Sequence, residues 1–398
     1  MVVVMFLFGA LAFGVLASIS VFLKPLSAEF GWSRGETSLG YTMISMSSAV
    51  FGILWGYVAD RFGTRWFGLA AAVAMTVSLF ALSQQATIYH FYALYFFFGA
   101  FGNAMLGSPM YANVGFWFKH RPGLALGITA SGGAFGQGVV PYLAAMAIDA
   151  YDWQTAYQLL ALGYLLMALP LALLIREPPL REAARLAPAT AAKHDFILSE
   201  GEVVAWISVA VIFCCNCMAV PIVHLVPLLT DAGHSVEYAT RILMLLMFFG
   251  VAGRVLGGRL CDLIGALPAY MFMSFGQTIS VVWFPYVSDS WFLYPLAAFF
   301  GFTYSGVMSS ILVSTRMMVS PGFGGRAMSV TSFFGWMGMG MGGFLGGYLF
   351  DAQGNYFTSF AFAGFLGVIN LIILTCFLLR IRAARNISLK PARLDVSA

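Results

Sequence analysis

The chain has 398 residues, 61% of them hydrophobic and only 9% charged, with a formal net charge of +4 and a mean hydropathy of +0.87. A soluble domain carries about 25% charged residues, so this composition excludes a water-covered globule. It also sets aside nucleic acid, because the small basic excess follows membrane topology instead of gathering in one patch.

A chain that spans a bilayer does so as helices or as a closed barrel. Barrel strands alternate apolar and polar residues over roughly 10 positions. Here the apolar runs last about 20 residues, the length a helix needs to cross the hydrocarbon. Twelve such runs are predicted, centred near residues 13, 47, 75, 98, 135, 164, 214, 250, 277, 302, 336 and 369. The expected fold class is an all-α integral membrane protein with twelve transmembrane helices, multi-pass in the lipid bilayer of the cytoplasmic (inner) cell membrane.

Taken in order, the first run, MVVVMFLFGALAFGVLAS, resembles a signal peptide. It lacks a positive leader, and its apolar stretch is longer than the usual 7–15 residues, so it is read as span one with further residues expected upstream. After span two comes GYVADRFGTR (56–65), a tight polar loop. Span four carries Asn103 and Tyr111, and span five carries Ser131 and Gln137. Residues 176–202 are rich in charge, Ala and Pro and form the one long polar stretch before the tail.

Span seven holds Cys214, Cys215 and Cys217 beside Asn216. No acid or histidine lies within one helical turn of the three thiols, so small apolar packing is expected there, with no metal and no cofactor. Farther along the same span, His224 lies between Pro221 and Pro227, where a kink is expected. Span eight contains Arg254, the one charged residue between Ile242 and Gly258. Span ten offers Tyr304 and Ser305, and Cys376 lies in span twelve. Apart from Lys24, Arg34 and Arg241, the basic residues fall after even-numbered spans, at their ends, or in the tail. Basic loops stay in the cytoplasm, which places both termini inside.

An internal repeat runs through the whole chain. GYVADRFG (56–63) and GRLCDLIG (258–265) share the pattern G-x-x-x-D-x-x-G at an offset of 202 residues. That offset also pairs Pro25 with Pro227, Glu29 with Asp231, Gly31 with Gly233, Gly123 with Gly325, and Asp149 with Asp351. The expected organisation is a 6+6 parallel repeat: a bundle over 1–175, a cytoplasmic linker over 176–202, a second bundle over 203–382 and a tail over 383–398.

Gly56, Asp60, Arg61, Gly63 and Arg65 resemble the loop motif of the major facilitator superfamily, with Trp66 where a basic residue is usual. That resemblance implies a substrate site between the halves near the membrane midplane. It also implies a gating role for these residues and for their repeat partners Gly258, Asp262 and Gly265. SISVFLKPL (18–26), WFKHRPGLALGITASGGAFG (117–136), HLVPLLTDAG (224–233) and Arg254 further resemble the monocarboxylate transporter family and its bacterial relatives. In that family the span-eight arginine binds the substrate carboxylate. Two departures stand out: Ala17 and Gly250 occupy positions where many animal members have a lysine and an aspartate. By resemblance to cavity-facing spans, Asn103 and Tyr304 join the expected substrate-binding residues.

A guanidinium at the centre of a membrane helix costs about 2.5–3.5 kcal/mol on insertion scales. Arg254 lies eight residues from Asp262, about 12 Å along a helix. Its glycine neighbours Gly250, Gly253, Gly257 and Gly258 point to close packing, which favours a protein-enclosed position over a snorkelling one. No Asp or Glu falls near the centre of any predicted span. A planar fork of five donors without an internal acid suits one external carboxylate. His224 titrates near neutral pH as a free side chain, so it is the candidate to carry a coupling proton or to add a second donor. The ordinary alternative is a neutral ring bonded to a carbonyl freed at the kink.

These features predict a non-enzymatic secondary transporter of a small organic monocarboxylate, with protons as the coupling partner and no obligate protein partner evident. No G-x-x-x-x-G-K-[ST] sequence is present to bind a nucleotide. Anion exchange, export of neutral lipophilic compounds and a non-transporting anion sensor are the alternatives.

Overall fold

In a computed structural model the chain is all-helical, described over residues 1–62, 64, 66–107, 114, 122–176, 198–288, 290–320 and 323–388. In chain order the helices are α1 (Val2–Phe30), α2 (Arg34–Phe62), α3 (Phe67–Leu82), α4 (Ile88–Phe97), α5 (Pro122–Ala150) and α6 (Trp153–Leu173). They continue as α7 (Glu200–Asp231), α8 (Val236–Ile264), α9 (Ala266–Val281), α10 (Leu293–Met317), α11 (Gly324–Gln353) and α12 (Phe357–Ser388).

Among the described residues, seven of these helices (α1, α2, α6, α7, α8, α10 and α12) are long and apolar enough to cross a membrane. Among the described residues each of the twelve predicted runs falls on one of these helices or, for the run near 98, at its end, and the shortfall has local causes. Helices α3 and α9 have only 16 residues. Helices α5 and α11 place glycine where larger apolar side chains would raise hydropathy. Helix α4 passes into a π-helical turn, Phe98–Asn103. A π turn leaves backbone carbonyls short of partners, and α2 supplies them. Trp55 Nε1 donates to Ala100 O at 2.7 Å and Ser48 Oγ to Gly99 O at 3.3 Å.

Helix ends are fixed by local chemistry. Thr87, Asp152, Ser199 and Ser235 each accept a hydrogen bond from the backbone N–H three residues on, the arrangement that satisfies an orphan donor of the first turn. Gly31 and Gly354 end α1 and α11 in the left-handed conformation, at φ 70°, where a Cβ is unfavourable. Helix α7 runs uninterrupted through both Pro221 and Pro227.

Glycines set the helix spacing, and they do so twice over. A Cβ at Gly136 would lie 1.9 Å from Ala10 O, and one at Gly338 would lie 2.3 Å from Ile212 O. Both members of the second pair sit 202 positions after those of the first. The same shift relates Gly99, whose Cβ would lie 2.6 Å from Ile44 O, to Gly301, whose Cβ would lie 1.8 Å from Leu246 O. The sequence repeat is thus also a repeat of backbone contacts: α1 against α5 matches α7 against α11, and α2 against α4 matches α8 against α10.

The broadest contacts between the two halves of the chain run along two seams. In one, α5 meets α8: Phe135 stacks on Phe248 with centroids 5.9 Å apart, and Gly138 faces Met244 and Met247. In the other, α2 meets α11 along Gly340, Gly343 and Gly347, which face Thr42, Tyr41 and Ser38. Thr42 Oγ1 donates across that seam to Gly340 O at 2.7 Å.

Candidate functional site

Arg254 sits on α8 at the α5–α8 seam and is only 5% exposed. Its orientation follows from the glycine face behind it. A Cβ at Gly250 would lie 2.6 Å from Ser305 Oγ, at Gly253 2.1 Å from Phe302 O, and at Gly257 2.7 Å from Gly306 Cα. That face is therefore pressed against α10, and the guanidinium projects the other way, to α5. Gly258 lies off the contact, with nothing within 4 Å of a Cβ.

One guanidinium nitrogen, Nη1, donates to the Ala130 carbonyl, while Nε is buried without a partner. Among the described residues no carboxylate pairs with Arg254. A backbone carbonyl is a weak counterpart for a full charge, and a buried donor left unmade costs about 1–3 kcal/mol. The group therefore retains the capacity to take up an anion.

Around it the two halves exchange polar and aromatic contacts. The Tyr304 hydroxyl interacts with Arg254 and donates to Gln137 Oε1 at 3.1 Å. Ser309 Oγ donates to the Arg254 carbonyl at 2.9 Å, tying this turn of α8 to α10. A Cβ built on Gly133 would lie 3.1 Å from the Phe13 ring and 3.6 Å from Arg254 Nη1. Phe13 stacks on Trp336 of α11, with centroids 5.8 Å apart and planes at 20°. Both rings are half-buried. Trp336 continues into a cavity of about 20 Å³ between α2 and α11, lined also by Ser48, Gly52, Ser329, Ser332 and Phe333. A larger groove of about 520 Å³ opens on the outer surface between α3 and α4. Its walls are apolar throughout, including Val73, Val77, Phe97 and Phe101, which suits lipid and not a polar cargo.

The structure brings two of the four predicted binding residues together, Arg254 and Tyr304. Asn103 belongs to another contact: its Nδ2 donates to Ser48 Oγ at 3.0 Å, leaving Oδ1 buried and unpartnered. His224 is fully buried elsewhere, bonded through Nε2 to Gly343 O of α11 at 2.8 Å and through Nδ1 to the Tyr356 hydroxyl at 3.3 Å. Its carbonyl partner thus lies on a neighbouring helix and not beside the prolines of its own.

Of the gating set, Gly63, Arg65 and the side chain of Asp60 lie outside the described residues, as does Tyr111. Arg61 is exposed and lies over the Phe62 ring at 5.3 Å. Gly56 has open space at its Cβ position, Asp262 is exposed, and Gly265 turns the chain from α8 into α9 at φ 92°.

Sequence reasoning missed a second polar cluster, at the end of the molecule that carries Gly31, Gly233 and Gly354. Arg34 pairs with Asp231 at 2.5 and 2.9 Å, and Lys24 reaches the same carboxylate at 2.9 Å. The Asp351 carboxylate accepts from the backbone N–H groups of Arg34 and Gly35 at 3.0 and 2.6 Å, capping α2 from the other half of the chain. Arg34 also lies over the Phe350 ring at 3.9 Å and donates to the Tyr356 hydroxyl at 2.9 Å. Burial pushes the Tyr356 hydroxyl above the usual tyrosine range, so it stays protonated and available as a donor. The 202-residue offset does match Glu29 with Asp231 and Asp149 with Asp351, but it marks equivalent positions and not touching ones.

Residues 5–290 and 205–394 match the sequence profile of the Major Facilitator Superfamily. Monocarboxylate transporter 13 of Rattus norvegicus is 28% identical over 363 residues, covering 89% of this chain and 83% of that protein. Monocarboxylate transporter 12 of Xenopus laevis is 23% identical over 391 residues, with 89% of this chain and 83% of that protein covered. The riboflavin transporter RibJ of Trypanosoma brucei brucei is 31% identical over 174 residues, a match that spans 40% of this chain and 30% of RibJ. Among solved structures, a D-xylose–proton symporter superposes with a TM-score of 0.76 over 94% of this chain and 96% of that one, at 17% identity. That likeness is one of fold.

Proposed function

The chain belongs to the major facilitator superfamily, a multi-pass membrane transporter and not an enzyme, and on that basis we propose that it moves a small organic monocarboxylate across the cytoplasmic membrane. The observation that carries this reading is the buried Arg254 guanidinium, with Nε unpartnered and no described carboxylate to neutralise it. An arginine fork binds a carboxylate through two parallel hydrogen bonds. One fixed cation matches one acid group.

The neighbours of Arg254 fit the rest of such a cargo. Tyr304 supplies a hydroxyl on one side. Gly133 lets Phe13 and Arg254 come close to α5, and the half-buried Phe13–Trp336 pair offers a flat apolar wall. An acid with a planar or aromatic body would use that wall, whereas a short aliphatic acid would not. The likeness over most of the chain to monocarboxylate transporters 13 and 12 supports an acid cargo.

Transport follows by alternating access, residues 1–175 rocking against 203–382 about the seams α5–α8 and α2–α11. Arg254 on Ala130 and Tyr304 on Gln137 are contacts between the two halves at the site itself. A carboxylate that takes over the Arg254 donors replaces one of these tethers, so cargo binding acts directly on the pairing of the halves. With the Gly31 end taken as extracellular, the site is closed from outside by Arg34, Lys24 and their acids.

The test is uptake of labelled carboxylates into proteoliposomes by the wild type and Arg254→Lys. Lysine keeps the charge and loses the paired geometry. Hydrogen bonds to a charged group are worth about 1.5–3 kcal/mol, so uptake at low substrate is expected to fall roughly 10- to 100-fold with insertion and melting temperature preserved. Undiminished uptake would remove Arg254 from the binding site.

A further inference from the structure

We infer that His224 is a proton-sensitive element of the latch that closes the Gly31 end, and that a proton on its ring opens that latch. The inference rests on the transporter reading for its purpose, but its evidence lies away from the cargo site.

The hydrogen bonds fix the protonation state of the closed form. Gly343 O can only accept, so Nε2 of His224 carries a hydrogen and donates it. Nδ1 then presents a lone pair, and its partner, the Tyr356 hydroxyl, donates to it. The same hydroxyl oxygen accepts from Arg34 Nη1. The chain therefore reads Arg34 to Tyr356 to His224 to Gly343, each donor meeting an acceptor, and only a neutral ring fits.

Adding a proton at Nδ1 reverses one link. The ring becomes a donor on both sides, the Tyr356 O–H has to turn away, and two cations then converge on one hydroxyl oxygen. The charge balance of the latch shifts in the same direction. Arg34 from α2 and Lys24 from α1 face Asp231 of α7 and Asp351 of α11, with Tyr356 neutral between them. Two cations and two anions cancel while the ring is neutral, and the protonated ring leaves one positive charge unmatched. Because the ring is fully buried, water cannot screen that charge until the latch separates. His224 thus acts on the gate, not as a ligand of the cargo: it must give up its proton before the latch recloses.

A buried reporter lies directly behind the latch. Ser38 is fully buried, and its hydroxyl lies 2.7 Å from where a Cβ on Gly347 would sit across the seam. In purified Ser38→Cys protein, with no substrate added, the rate of labelling by a bulky maleimide reads opening of this end. Rates are taken over the background of protein without the new cysteine. They are normalised to Tyr151→Cys, a position that is 70% exposed, because maleimide chemistry itself slows in acid.

The normalised rate is expected to rise as pH falls from 7.5 to 5.5, by up to about tenfold per pH unit, the ceiling for one linked proton. His224→Gln, whose amide can donate to Gly343 and accept from Tyr356, is expected to stay closed and to lose the pH response. Tyr356→Phe, which keeps the ring but breaks the relay, is expected to label faster at pH 7.5 with a blunted response. A flat wild-type profile, or an unchanged rise in either variant, overturns the inference. The cargo reading stands or falls separately: an intact pH response without carboxylate uptake rejects the cargo alone, and intact uptake with a flat profile rejects the latch alone.

Discussion

At the scale of single residues, what distinguishes this membrane interior is the mismatch between donors and acids. Arg254 was legible in the sequence because one charge interrupts an otherwise apolar run, and the absence of central acids could be counted. Its surroundings were not. Nothing in the spacing of Phe13, Gly133 and Trp336 announces that they meet, since they come from three helices far apart in the chain. Asn103, at the end of the π turn, donates to Ser48 of α2 and keeps Oδ1 unpartnered, a contact its place in the sequence does not announce. The aromatic wall gives a prediction at this scale. A well-placed aromatic pair contributes about 0.5–1.5 kcal/mol beyond area burial. In competition assays, Trp336→Leu is therefore expected to weaken aryl carboxylates roughly two- to tenfold while leaving short aliphatic acids unchanged. Equal loss for both classes would show that the indole serves packing and not selection.

At the scale of helices, hydropathy located the spans because burial in lipid demands long apolar runs, and it was weakest where glycine replaces bulk. Helices α5 and α11 owe their low hydropathy to the residues that let backbones touch. Those glycines also carry the clearest trace of the repeat, the Gly136–Ala10 and Gly338–Ile212 contacts separated by 202 positions. The π turn in α4 left no comparable signal, because its cause is tertiary: Trp55 and Ser48 of α2 supply partners for carbonyls that a regular helix would have used. Two glycines five residues apart on α8, and so on different faces of it, separate packing from propensity. Gly253→Ala would drive a methyl to 2.1 Å from Phe302 O and must spread α8 from α10, at a cost of roughly 1–3 kcal/mol for overpacking. Gly258→Ala meets nothing within 4 Å and gains up to about 1 kcal/mol of helix propensity. Thermal denaturation of the two purified variants should move in opposite directions. A shared shift would mean that the α8–α10 spacing is not set by these contacts.

At the scale of the whole molecule, two polar centres bridge the halves of the chain, and they differ in kind. The Gly31 end is closed by matched charges, Arg34 and Lys24 against Asp231 and Asp351, reinforced by the ring of Phe350. Those partners were visible in the sequence as charges at span ends, yet separations of 197 and 317 residues hid their pairing. The Arg254 centre has no acid partner among the described residues, and it holds the opposite half through the Ala130 carbonyl and, by way of Tyr304, through Gln137. A matched latch at one end and an unmatched cation at the seam suit a machine that opens to one side and waits for an anion. The measurement closest to that claim is thermal stability of the purified protein across a panel of carboxylates, for wild type and Arg254→Lys. Ligand at 100 times its dissociation constant stabilises the folded state by about 2.7 kcal/mol. At least one monocarboxylate should raise the wild-type melting temperature while amides and alcohols of the same shape do not, and the variant should lose most of that rise. An equal rise in the variant, or stabilisation by the uncharged analogues, would contradict an acid held by Arg254.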